Sequence, residues 1–243
     1  MFAFYAAMGL AVTILSVRTG FLARLSGVAE TDPWHQASVS LLAASVLMIG
    51  VCLLGVRAVV AVPVDIPANW IFRSMPSQPG RTYLKARRRA LLLAMAVVWA
   101  GWAVLFLWNW PWRQAVGHLA ILWLIGASLV EVCLSGSQKL PFTCSYQPGK
   151  SRFHMAWFYA LMMLIAVGKA AGFERQALRS LPALAAILFG LCVVATLLRL
   201  RTNMLVAGQE PQFDDPPPPA VFTLDLHQDG VPIPAGRLYR GTT

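Results

Sequence analysis

Apolar residues in this chain come in long unbroken blocks rather than in the alternating or three-to-four spacing of a half-buried element. Ala37 to Val56 holds no charged side chain, and neither does Ala90 to Trp110. About 20 apolar residues at 1.5 Å rise each cross a hydrocarbon core of ~30 Å, so both blocks predict membrane-spanning helices. Three further blocks read the same way. Residues 114–134 carry His118 and Glu131 near their two ends, residues 153–172 carry His154 and Lys169 near theirs, and residues 181–198 are uncharged. A first block, residues 2–17, is shorter and predicts a sixth span. No Lys or Arg precedes Arg18, so the basic leader of a cleaved signal peptide is missing and an uncleaved helix is expected. The predicted fold is an all-α integral membrane bundle over residues 1–201, followed by a Pro-rich acidic tail over 202–243.

Composition supports the class. Of 243 residues, 58% are hydrophobic and 12% charged, against about 45–50% and about 25% in an average soluble domain. A water-soluble enzyme, a disulfide scaffold and a disordered basic tail are excluded. Cys52, Cys133 and Cys192 lie in apolar blocks, and no CxxC pair occurs.

Charge then orients the bundle. With six spans both termini share one side, and that side takes fourteen of the 20 Lys and Arg. The opposite side takes only Arg18, Arg24, Arg113, Lys169, Arg175 and Arg179. The positive-inside rule makes the termini cytoplasmic. Trp108, Trp110 and Trp112 flank the NWPWR turn between the third and fourth spans, where an interfacial aromatic belt is expected on the outer surface. Pro111 closes the preceding helix and predicts a tight hairpin.

Lys85, Arg87, Arg88 and Arg89 form a juxtamembrane basic cluster, read as an anchor on anionic lipid headgroups at about 1 kcal/mol per residue. Nucleic acid is not an expected partner. The tail carries five acids and two bases between Thr202 and Thr243. It is expected to fold back on the basic surface from Arg73 to Arg89. Val221 to Leu226 alternates like a single strand, which needs something to pair with.

Chemistry is sparse. Strongly polar groups well inside a span argue for function because burying them is unfavourable. The central parts of the second, third and sixth spans offer only Ser45, Cys52, Gly101 and Cys192. His118 and Glu131 share a helix, but thirteen residues separate them by ~20 Å. Topology suggests Glu131 with His154 at one end of the bundle and His118 with Lys169 at the other. The first pair is expected to neutralise a partly buried acid, and a general acid/base pair or a metal site with Cys144 is the sharper alternative. Nucleotide, zinc-protease and hydrolase motifs are missing, so no cofactor, metal or catalytic residue is assigned.

PANWIFR at Pro67 to Arg73, KLPFTCSYQPGK at Lys139 to Lys150 and PAVFTLDL in the tail resemble segments of a group of multi-pass, acidobacterial-type bacterial membrane proteins with no assigned activity. The resemblance covers roughly Asp65 to the tail, and the group's chains are longer at the N-terminus. It implies architecture alone. The sequence thus favours a non-catalytic membrane subunit or scaffold that recruits a protein partner through its cytoplasmic loops and tail. A permease component for an apolar or amphipathic substrate stands second, and an intramembrane enzyme third.

Overall fold

The computed structural model describes residues 2–27, 34–60, 80–135 and 153–207. Residues 61–79, residues 136–152 and the tail beyond Ala207 lie outside these, and with them all three resemblance segments, the tail's expected fold-back and strand, and Cys144. Every regular element among the described residues is a helix: α1 (Phe2–Thr19), α2 (Phe21–Ser26), α3 (Val39–Val60), α4 (Gly80–Asn109), α5 (Trp112–Ser135), α6 (Phe153–Ala177) and α7 (Leu181–Ala207). Four of them, α3, α4, α5 and α7, are long and apolar enough to cross a membrane, as in a membrane protein.

Local chemistry sets several boundaries. Gly20 ends α1 at φ 59°, a left-handed conformation that L side chains rarely adopt, and Gly27 ends α2 at φ 77°. Ser38 precedes α3, and its Oγ accepts the Leu41 N–H at 3.2 Å as an N-cap. Pro111 separates α4 from α5, and its carbonyl accepts the N–H groups of Gln114 and Ala115 at 2.9 and 3.1 Å. The result is a tight hairpin, which gives one end of the bundle its reference point. Across that end the Ala37 N–H donates to Gln114 Oε1 at 3.2 Å, tying the start of α3 to the start of α5.

The helix α4 begins at Gly80, well before the uncharged block at Ala90. The segment RTYLKARRR contains no Pro or Gly and is rich in good helix formers, so the helix runs straight through the basic cluster. Its 30 residues amount to ~45 Å, about 15 Å more than a hydrocarbon core. The basic turns are the excess.

The two most enclosed helices are α3 and α5. Around them the buried apolar side chains form two clusters. One, toward the hairpin end, includes Leu22, Val39, Leu42, Phe106, Trp110 and Leu119. The other includes Ile49, Leu53, Leu91, Met95, Leu122 and Val130. Gly126 of α5 is pressed against Met95 of α4 and Ile49 of α3, so a Cβ there would overlap the Met95 sulfur. By contrast, α7 leaves large apolar side chains such as Phe189, Leu197 and Met204 exposed along its length. In water such a face would be an aggregation surface; against acyl chains it is a solvated one.

Candidate functional site

Two buried polar clusters interrupt this apolar interior, one near each end of α5. The first joins α3, α5 and α6. Ser45 Oγ lies 2.9 Å from His118 Nε2, and His118 Nδ1 lies 2.5 Å from Glu174 Oε1. All three side chains are buried, with Ser45 and His118 fully so. Ser45 Oγ is also 2.8 Å from the carbonyl of Leu42. A serine hydroxyl has one proton to donate. If it donates to Leu42, it accepts from His118 Nε2–H, while Nδ1 and the Glu174 carboxyl share one proton between them. In that arrangement every proton meets an acceptor and the His118–Glu174 pair is neutral overall.

The imidazole is also enclosed by aromatic rings. Trp102, Phe106 and Trp110 occupy successive turns of one face of α4 and stack at centroid distances of 5.1 and 4.3 Å. Phe106 meets His118 edge to face at 4.9 Å, and Trp110 lies at 5.9 Å. Such geometry favours a ring edge, or a cation, against a π face.

The second cluster joins α4, α5 and α7. Arg88 Nε is 2.6 Å from Glu131 Oε1, and Arg88 Nη2 donates to Glu131 Oε2 at 2.8 Å. The Nε contact has ion-pair distance without an aligned N–H; the Nη2 contact has both. Nη2 also donates to Asn203 Oδ1 at 3.1 Å. One guanidinium thereby links three helices, which a lysine ammonium could not do with the same planar fork.

These contacts revise the pairs expected from topology. Glu131 does not reach for headgroup water: it is buried, and both its oxygens belong to Arg88. The neutralising role expected of His154 is performed by Arg88; the side chain of His154 itself lies outside the described residues. His118 pairs with Glu174 and not with Lys169, which is exposed. Glu174 escapes sequence reasoning because it lies two residues past the apolar block ending at Gly172, and α6 continues through it to Ala177.

The basic cluster also divides. At 100° per residue, Lys85 and Arg89 share one face of α4 and both are exposed, while Arg88 falls on the buried stripe with Leu84, Leu91 and Met95. That stripe is the sequence signal that could have singled out Arg88. Arg87 is half-buried near Arg57, which in turn contacts the Cys133 thiol. The aromatic belt divides in the same manner. Trp108 and Trp112 are 87% and 75% exposed, but Trp110 is 5% exposed and belongs to the wall of the His118 site.

Serine, histidine and glutamate in hydrogen-bonded sequence resemble a nucleophile, base and orienting acid. Their surroundings do not. Ser45 and His118 are fully buried, and neither lines the groove that the bundle carries between α1, α3 and α4. No carbonyl could approach Ser45 Oγ in this arrangement. Among the described residues, no three His, Cys, Asp or Glu side chains converge as metal ligands. No protein-family model, curated protein or solved structure matches the chain.

Proposed function

We propose that this chain is a multi-pass membrane subunit that performs no chemistry itself, and that it holds or recruits a protein partner. In this reading it has six spans with both termini cytoplasmic in a bacterial inner membrane. The observation that carries it is the fate of the buried ionisable groups. Arg88, Glu131, His118 and Glu174 are spent on one another, each pair fastening helices, and neither pair faces open space. What remains for contact is the basic end of α4, with Lys85 and Arg89 turned outward toward lipid headgroups, and the segments that extend from it.

A double substitution separates this reading from catalysis. Replacing Arg88 with Met and Glu131 with Leu removes both charges together and leaves an apolar contact of similar volume, which is often neutral for stability. A cell lacking the gene and complemented with that variant, present at normal abundance, should regain its phenotype. Loss of the phenotype at normal abundance would overturn the structural reading. The partner is tested by truncation after Gly208, which should release a protein that co-elutes with the full chain at fixed stoichiometry in mild detergent.

A further inference from the structure

A groove of about 540 Å³ runs between α1, α3 and α4, inside the range of about 300–1,000 Å³ typical of small-molecule sites. Its wall is apolar, with Leu10 and Ile14 from α1, Met48 from α3, and Val97 and Trp102 from α4. Two lining groups are polar. The Thr13 hydroxyl is turned back on its own helix, donating to the Gly9 carbonyl at 2.9 Å. The other is Arg18, exposed in the last turn of α1, with no acid among the described lining residues. From Leu10 to Arg18 is eight residues, ~12 Å along the helix. The groove is therefore an apolar channel with one cation at its hairpin end, beside Trp34.

Its floor is also kept bare. A Cβ built on Gly101 meets no heavy atom within 4 Å. Alanine there would favour the helix by about 1 kcal/mol, so packing gives no reason for glycine.

We infer that this groove binds an anionic lipid, with an acyl chain along the apolar wall and the headgroup anion on Arg18. Charge complementarity selects that occupant: the one cation among the described lining residues stands at the end of an apolar groove. The inference stands apart from the subunit reading, since a resident lipid serves a scaffold or a carrier equally.

Native mass spectrometry of the full chain in detergent, titrated with phosphatidylglycerol and phosphatidylcholine of matched chains, tests it. Phosphatidylglycerol should bind about fivefold more tightly, the effect of one basic group against an anionic lipid. Arg18→Gln should bring it to the phosphatidylcholine level, and Arg18→Lys should retain the preference. Gly101→Phe, which fills the channel, should weaken both lipids. Unfolding temperatures identify a misfolded variant, and the Arg18 pair decides the matter if Gly101→Phe does not fold. Three results would overturn the inference: unchanged lipid preference in Arg18→Gln, a preference that follows Lys85→Gln with Arg89→Gln instead, or a lipid-independent dimer that Gly101→Phe abolishes.

Discussion

Arg88 of α4 and Glu131 of α5 meet through two atom pairs, at 2.6 and 2.8 Å, inside a helical interface that is otherwise apolar. The desolvation of two charges offsets most of their attraction, so the intact pair adds little net stability. Breaking it is a different matter, because the remaining charge stays buried. Glu131→Gln should destabilise the protein by about 3–5 kcal/mol, and the Arg88→Met, Glu131→Leu double variant should recover most of that loss. Thermal unfolding in detergent, read for the two single variants and the double, gives the coupling directly. Additive single losses would disprove it.

At the other end of α5 the ranking of substitutions is informative. Ser45→Ala removes one interhelical hydrogen bond, to His118, and one within its own helix, to the Leu42 carbonyl; an interhelical bond of this kind is worth about 0.6 and at most about 1.7 kcal/mol. Glu174→Ala leaves the buried His118 Nδ1 without its partner and opens a void, and should be worse, about 2–4 kcal/mol. A nucleophilic serine would reverse the order in any functional assay, with Ser45→Ala abolishing activity at normal stability.

The three tryptophans of the hairpin should separate cleanly. Trp110→Ala empties a buried site against Phe106 and His118, a loss of about 3–5 kcal/mol. Trp108→Ala, on a side chain that is 87% exposed, should leave the unfolding temperature unchanged. Equal effects from the two would contradict the stacked aromatic face of α4.

The outward cations are expected to act on topology. In the proposed topology, replacing Lys85 and Arg89 by Gln removes two of the charges that would hold the α4 start on the cytoplasmic side. C-terminal reporters active only in one compartment should then register a mixed population. Arg88→Gln alone should lower abundance without mixing the orientation, because that residue is committed to Glu131.

Much of the molecule was legible in the sequence, for a simple reason: crossing hydrocarbon demands length and apolarity, and both are local properties of a segment. The uncharged blocks at Ala37 to Val56 and Ala90 to Trp110 are helical on that ground alone, except for Ala37, Ser38 and Trp110 at their edges, and Pro111 marks the hairpin between α4 and α5 because a proline lacks an N–H.

The partners of the polar groups were not local. Glu131 meets Arg88 because α4 begins two and a half turns before its apolar block and turns that one residue inward, beside Leu84 and Leu91. His118 has Glu174 because α6 outruns its block as well, bringing a carboxylate level with Ser45. Trp110 leaves the belt because four residues from Phe106 is one helical turn, which stacks it on the buried ring. The sequence by itself determined which segments are apolar helices and that charge gathers at their ends. Only the tertiary structure decided which of those charges enter the interior, since that depends on how far each helix continues and which neighbour faces it.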